Sequence, residues 1–337
     1  MVMEILKDKT VEAIYRNYEV TNRDWFPTRL GASIIGKKCS RELWYNFRWA
    51  HKKKFPGRIL RLFETGHLEE PRMVKNLRDL NILVNDIDDN TNKQFTFTSV
   101  GGHFVCKIDG CALGILDAPK TWHVLEFKTS NNKGFVLIEK NGVESEKYEH
   151  LAQCQMGMHL SGMKRAYYLV KNKDTDALYA ERIPYNKELS TQLINRATDI
   201  IYSTEPPARI GGPAYFLCKF CDYYDLCHDD LLPLFNCRTC SYSTPKPGPE
   251  WLCEKKNVAL QKERQLSGCE HHLFIPPMIN AKLTDYQFKE CVVYTMHDES
   301  RFCNAPEYAF PKVDEKDYSF ILPSEKMSGK TIGELSK

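Results

Sequence analysis

The chain has 337 residues, 42% hydrophobic and 27% charged, which excludes a disordered or collagen-like protein and allows one large domain or two ordinary ones. Lys and Arg number 47 against 44 Asp and Glu, and the net charge of +3 is too near neutrality to identify a partner by itself. No run approaches the roughly 18 apolar residues of a membrane helix. The stretch Met1–Glu19 mixes charges with isolated apolar residues and lacks the apolar segment of a secretory signal. A cytoplasmic location is therefore expected.

Residues 1–30 read as one helix and a loop. A helical stretch is expected from Ser33 to about Ala50, where Ile34, Ile35, Leu43, Trp44 and Phe47 recur at helical spacing. A second helix is expected over Leu60–Leu80, with Pro71 marking a kink or a new first turn. Gln94–Thr98, His103–Asp109 and His123–Lys128 carry β-branched and aromatic residues between turn residues and read as strands. A helix follows over Glu146–Leu160, ended by Ser161-Gly162. Paired strands are expected at Arg165–Val170 and Leu178–Ile183, then a helix over Asn186–Ser203. This order predicts an α/β core with a central mixed sheet. Pro206-Pro207 and Gly211-Gly212-Pro213 break the pattern, and a Cys-rich region runs to about His272.

The segment Lys37–Arg61 holds nine basic residues and one acid, Glu42, with Trp44, Tyr45, Phe47, Trp49 and Phe55 interleaved. Basic side chains neutralise phosphates and aromatic faces stack on bases. Lys37, Lys38, Arg41, Arg48, Lys52, Lys53 and Lys54 are thus candidate DNA contacts. A helix with a solvated basic face and an aromatic core face explains the same pattern.

Lys107-Ile108-Asp109-Gly110 is followed by Val124-Leu125-Glu126-Phe127-Lys128-Thr129. On a strand, Glu126 and Lys128 point to one face. If the Asp109 strand pairs with theirs, two carboxylates and an ammonium meet at one point. Paired carboxylates suit Mg²⁺ or Mn²⁺, which polarises a phosphoryl oxygen and lowers the pKa of a bound water. The Phe127 carbonyl is a further candidate ligand. Upstream, His67 and Glu70 share a helix face, and either completes a metal shell. Downstream, Gln153 and Gln155 offer amides. Asp117 is a rival for Asp109, but it precedes Ala118-Pro119-Lys120, a loop signal.

The order of these motifs resembles the PD-(D/E)XK nucleases, in the RecB-like, lambda-exonuclease-like branch. By that resemblance Asp109 is the motif aspartate, Glu126-Phe127-Lys128 is the (D/E)XK element, and His67 is the upstream histidine. Glu70 matches the variant in which the upstream helix supplies a carboxylate. The family's glutamine motif is half present, because Gln153 is followed four positions on by Gly157 instead of Tyr. Gly31-Ala-Ser-Ile-Ile-Gly, Cys39-Ser-Arg-Glu-Leu-Trp-Tyr and Lys171-Asn-Lys-Asp-Thr resemble bacteriophage-encoded members. The resemblance covers about residues 30–230. It implies a restriction-endonuclease-like fold and metal-dependent hydrolysis of DNA phosphodiesters, as an exonuclease in phage DNA recombination or processing. A recombinase or single-strand-binding protein is the implied protein partner.

Of thirteen Cys, seven fall between Cys218 and Cys269. A reducing compartment disfavours disulfides, so clustered Cys there read first as metal or cluster ligands. Cys218, Cys221 and Cys227 form a compact triplet. A cubane cluster takes four thiolates, and Cys39 is the candidate fourth. This one-plus-three arrangement is similar to the iron–sulfur nucleases of the RecB type and implies a 4Fe-4S cluster; Zn²⁺ on the same thiolates is the alternative. Cys237, Cys240, Cys253 and Cys269 suit a structural Zn²⁺ ion, with His271 or His272 in place of Cys269 as the alternative. Cys106, Cys111, Cys154, Cys291 and Cys303 read as ordinary buried residues. The expected organisation is a nuclease core with an iron–sulfur cluster over residues 1–230 and a zinc-binding extension over residues 231–337. Against the nuclease stands a catalytically inert nucleic-acid-binding or protein-interaction module built on the same cysteine sites.

Overall fold

The structure, a computed structural model, describes residues 8–22, 26–287, 290–296, 298–312 and 318–336. Residues 1–7 of the charged N-terminal stretch lie outside that set. In chain order the first elements are α1 (Lys9–Thr21), β1 (Leu30–Gly31), α2 (Ser40–Phe47), α3 (Gly57–Asp79), β2 (Leu83–Asn85), β3 (Thr96–Ser99), β4 (Phe104–Lys107), β5 (Gly110–Leu113) and β6 (His123–Ser130). Next come α4 (Asn132–Asn141), α5 (Val143–Glu146), α6 (Tyr148–Ser161), β7 (Arg165–Asn172), β8 (Leu178–Pro184), α7 (Lys187–Tyr202), α8 (Phe216–Lys219) and α9 (Tyr224–His228). The remainder is β9 (Ser243–Pro245), β10 (Trp251–Cys253), β11 (Val258–Leu260), α10 (Lys262–Ser267), β12 (Lys282–Gln287), β13 (Cys291–Thr295), β14 (Arg301–Asn304), β15 (Phe320–Leu322), α11 (Ser324–Met327) and α12 (Ile332–Leu335).

These elements fall into two compact units that interleave along the chain. The first comprises Met1–Phe26, Lys53–Phe97 and Cys106–Leu193; the second comprises Pro27–Lys52, Thr98–Val105 and Ile194–Lys337.

The first unit is built on a five-stranded sheet of order β2-β5-β6-β7-β8. Strand β6 runs antiparallel to β5 and parallel to β7, so the sheet is mixed. A parallel pair needs a long crossover, and α4, α5 and α6 supply it. Alternation along β6 sends Leu125 and Phe127 into a core with Met73, Val74 and Leu77 of α3 and Leu169 of β7. Burial of each such side chain stabilises by about 1.5–3 kcal/mol. Glu126 and Lys128 point the other way, where α6 lies against the sheet. There the backbone of Gly157 approaches closely: a Cβ at this position would sit 3.0 Å from Ile108 Cγ2 and 3.2 Å from Val124 Cγ1. The close helix–sheet spacing thus leaves little room for a side chain at 157. Pro71 lies inside α3 without ending it, and α6 closes on Gly162 in the left-handed conformation, φ 80°.

In the second unit β1 pairs in parallel with the start of β4, Leu30 opposite Phe104 and Gly31 opposite Val105. The Cys-rich and C-terminal segments form a three-stranded sheet, β11-β10-β9, and a four-stranded one, β12-β13-β14-β15. The helix expected over Ser33–Ala50 is two pieces, a 3-10 turn at Ala32–Ile34 and then α2, whose N-cap is Cys39 with its Sγ accepting from the Glu42 amide at 3.4 Å. Trp44, Tyr45, Phe47 and Trp49 are all buried, so the aromatic half of the basic segment is core. Cys291 and Cys303, expected as ordinary buried or strand residues, are joined in a disulfide between β13 and β14.

The α/β class, the central mixed sheet flanked by helices and the Cys-rich C-terminal part are as the sequence predicts. No helix among the described residues is long and apolar enough to cross a membrane. The spacing at Gly157 makes a directional prediction. Gly157→Val lowers unfolding stability by about 1–3 kcal/mol through overpacking, whereas Gly66→Ala, on α3 with nothing within 4 Å of the added methyl, raises it by up to about 1 kcal/mol; urea midpoints of the two variants check both signs.

Candidate active site and cysteine sets

Asp109 sits at the bend between β4 and β5, not inside the single strand expected over His103–Asp109. The bend is made by Gly110, φ 146°, where a Cβ would meet the Asn85 carbonyl oxygen at 2.7 Å. From there the Asp109 amide donates to the Leu125 carbonyl at 3.2 Å, and its carboxylate accepts from the Phe127 amide at 2.7 Å and from Gln94 Nε2 at 3.2 Å. Two bonds to β6 thus fasten Asp109 beside Glu126. Gln94 was not singled out by sequence; only the register of β3 against the bend brings it in.

Glu126 is fully buried and is bonded to the Lys128 ammonium, which also donates to Gln153 Oε1 at 3.4 Å. Burial pushes the Glu126 carboxyl up to about 8, the charges of Asp109 and Glu70 push the same way, and Lys128 opposes them. Burial also raises Asp109, against Lys128 and its hydrogen bonds to Phe127 and Gln94. Burial alone would lower Lys128, but Glu126 and Asp109 more than offset it and hold it above the usual lysine value. Glu70 of α3 is raised by burial and then by Asp109, with His67 and Lys128 opposing. These influences place Asp109, Glu126, Lys128 and Glu70 within electrostatic reach of one another, with His67 in reach of Glu70. His67 is exposed on α3, one turn before Glu70.

Asp117 lies exposed in the loop after β5, and its carbonyl is bonded by Arg182 at 3.3 Å. Gln155 is structural: its amide donates to the Pro184 carbonyl at 2.9 Å and its Oε1 accepts from the Asn186 amide at 2.8 Å. A cluster the sequence did not suggest lies in the same unit. Lys171 bonds Glu69 and Asp176, and Arg72 grips the Asp176 carboxylate with both terminal nitrogens at 3.0 and 2.7 Å. It braces α3 against the β7–β8 turn.

Arg48 corrects the proposed set of DNA contacts. It is 1% exposed and donates to the carbonyls of Arg238, Ser243 and Ser203, its guanidinium lying over Trp44 and Trp251. A group so enclosed cannot reach a phosphate. Arg41 is likewise engaged, bonding the Tyr45 hydroxyl and the carbonyls of Pro207 and Pro277, and Lys37 is ion-paired with Glu42. Lys38, Lys53 and Lys54 are exposed and Lys52 is half-buried.

Cys39, Cys218, Cys221 and Cys227 line one small cavity, with Arg41 and Arg209 beside them. Cys237, Cys240, Cys253 and Cys269 line another, with His271 and His272. Each expected set is therefore gathered in space. Among the described residues no three His, Cys, Asp or Glu side chains stand close enough together to grip a metal ion as they are placed; this holds for both cysteine sets and for the carboxylates.

No protein-family model and no curated protein matches the chain. Among solved structures it is similar to LHK-Exo, an alkaline exonuclease from Laribacter hongkongensis, at 14% identity and TM-score 0.36, with 56% of this chain and 90% of that one covered. The same enzyme in complex with dAMP gives 15% and 0.37 over the same shares. A protein named SSO0001 gives 16% and 0.38, covering 66% of this chain and 98% of that one. Superpositions at this level leave the chemistry to be read from the residues themselves.

The electrostatics predict a pH dependence. A carboxyl raised in the folded state adds stability that is full below its ordinary value of 4.5 and is lost as pH climbs through about 8. In chelator, unfolding free energy should fall by a few kcal/mol, on the order of 3–5, between those limits, and Glu126→Gln should flatten most of that slope in urea titrations run at successive pH values.

Proposed function

We propose that the protein is a divalent-metal-dependent deoxyribonuclease, an exonuclease acting in phage DNA recombination or processing. What carries the reading is the meeting of Asp109, Glu126 and Lys128 at one point of the central sheet, with Glu126 buried and both carboxyls pushed toward protonation. Two crowded, buried carboxylates with one ammonium are short of positive charge, and that deficit fits a Mg²⁺ or Mn²⁺ ion. Asp109, Glu126 and the Phe127 carbonyl, with His67 or Glu70, are the groups to hold it. Such an ion supplies Lewis-acid polarisation of a phosphoryl oxygen and a water of lowered pKa.

The chain's own residues do the rest. Gln94 and the Phe127 amide hold the Asp109 carboxylate in one orientation. Lys128 stands between Glu126 and Gln153, where its ammonium offsets charge developing on a phosphate. Gln153 steadies that ammonium. Of the basic residues proposed to meet the DNA backbone, Lys38, Lys53 and Lys54 are exposed and Lys52 is half-buried. The thiol set of Cys39, Cys218, Cys221 and Cys227 takes a 4Fe-4S cluster; the Glu42 amide donates to the Cys39 sulfur at 3.4 Å, and burial pushes the Cys221 thiol up to about 11 against the Tyr223 amide. The second set takes Zn²⁺ in the extension of residues 231–337. A recombinase or single-strand-binding protein is the partner the sequence resemblance suggests.

Digestion of linear DNA tests the reading. Cleavage is expected with Mg²⁺ or Mn²⁺ and none in chelator, and Asp109→Asn, Glu126→Gln and Lys128→Ala should each lower the rate on the order of 10³-fold while circular dichroism stays native. Undiminished cleavage in all three variants would remove these residues from the chemistry, and no cleavage by the intact protein would leave an inert binding module. Converting Lys52, Lys53 and Lys54 together to alanine should weaken DNA binding and reduce the salt slope of log K by roughly 2–3. Anaerobic purification should give a brown protein with about four irons per chain; a colourless, iron-free preparation would remove the cluster.

A further inference from the structure

We infer that His150 and Tyr168 are positioning residues of the cleavage site: the hydrogen bond between them fixes the first half of α6 on the sheet at the phase that brings Gln153 to Lys128. The inference deepens the nuclease reading above and rests on it.

Strands β6 and β7 run parallel and in register, with Glu126 opposite Tyr168. Leu169 joins Leu125 and Phe127 in the core on the α3 side. Alternation therefore turns Tyr168 to the other face of the sheet, beside Glu126 and beneath α6. Tyr168 is fully buried. Its hydroxyl is hydrogen-bonded with His150 Nδ1 at 2.9 Å, and the two ring centroids are 5.7 Å apart. Burial, then the charges of Lys128 and Lys147, lower the His150 imidazole to about 3, and burial raises the Tyr168 phenol. The bond thus joins two uncharged groups, and it persists at every pH at which a nuclease is assayed.

His150 and Gln153 are three residues apart in α6 and share a helix face. Gln153 Oε1 accepts from the Lys128 ammonium at 3.4 Å, and that ammonium is bonded to Glu126. A circuit closes across the helix–sheet seam: Glu126 to Lys128, Lys128 to Gln153, along α6 to His150, across to Tyr168, and by strand register back to Glu126. The contact between Lys128 and Gln153 is its weak point. It is longer than the usual 2.7–3.2 Å, so a shift of α6 by a few tenths of an ångström breaks it.

The other anchors of α6 lie toward its C-terminus. Gln155 bonds the Pro184 carbonyl and the Asn186 amide, and His159 bonds the Tyr185 hydroxyl. Gly157 sets the approach to Ile108 and Val124. The N-terminus of the helix has no side-chain cap, and there His150 ties it to the sheet. Gln153 sits between the two regions. Its reach to Lys128 depends on both being held.

Steady-state cleavage of linear DNA by the full-length protein with Mg²⁺ tests the role. His150→Leu and Tyr168→Phe should each lower kcat on the order of tenfold and leave KM within about twofold. His150→Asn, whose amide takes the place of Nδ1, should recover most of the rate, and His150→Gln, whose amide takes the place of Nε2, should not. In a Gln153→Ala background, His150→Leu should cost less than about twofold, because the contact it serves is already gone. Unchanged kcat in both single variants, full additivity with Gln153→Ala, or rescue by Gln and not by Asn would each overturn the inference. Should His150→Leu not accumulate as folded protein, Tyr168→Phe, which removes one oxygen, runs the same cycle. Hydrogen exchange in the metal-free chain gives a readout independent of cleavage: Tyr168→Phe should speed exchange in the first half of α6 severalfold, and unchanged exchange there overturns the anchoring. A protein that cleaves no DNA while exchange responds loses the nuclease reading and keeps the anchor. One that cleaves at rates indifferent to these variants keeps the nuclease and loses this inference.

Discussion

The hydrogen bond from the Phe127 amide to the Asp109 carboxylate, 2.7 Å long, is the constraint on which the first unit's chemistry depends. It ties a side chain at a strand bend to the backbone of the neighbouring strand, one residue beyond Glu126. Without it Asp109 would be one more acid in an Asp-Gly turn. With it, two carboxylates share a poorly solvated space, and the charge of Asp109 makes ionisation of Glu126 harder. The ammonium of Lys128 relieves part of that conflict and no more, since Glu126 is still held far above the ordinary carboxyl range.

Much of this site was legible in the sequence because strands have a period of two. Glu126 and Lys128 had to share a face, and Leu125 and Phe127 had to take the other, whatever the rest of the chain did. The partner strand was harder. Asp109 read as the end of a strand, and the structure places it at a bend whose geometry depends on Gly110 and on contact with Asn85. Gln94 was invisible for the same reason, since only tertiary register brings it to Asp109. The choice between Gln153 and Gln155 turned on helix phase: the first faces Lys128, while the second ties α6 to the loop after β8.

The segment Lys37–Arg61 shows where sequence reading runs out. Alternating cations and aromatic rings describe a nucleic-acid face and a cation–aromatic core equally well, because an arginine stacks on tryptophan in both. Burial decides, and burial is a property of the fold. Arg48 went to the core along with Trp44, Phe47 and Trp49, while the lysines at 52–54 stayed toward solvent. Short Cys-x2-Cys loops keep Cys218 near Cys221 and Cys237 near Cys240, whereas Cys39, Cys253 and Cys269 reach the same cavities only through tertiary structure. The disulfide of Cys291 and Cys303 needed the pairing of β13 with β14, which no local signal announced.

The seam between α6 and the sheet has a consequence for how this chain can vary. A side chain at position 157 presses on Ile108 and Val124, which a Cβ would meet at 3.0 and 3.2 Å. Any bulkier residue there has to arrive together with trimming at 108 or 124, or the helix that carries Gln153 lifts away from Lys128. Three positions far apart in sequence are thereby bound to change as a group, and the one that looks least informative, a lone glycine in a helix, sets the distance across which the other two groups can touch.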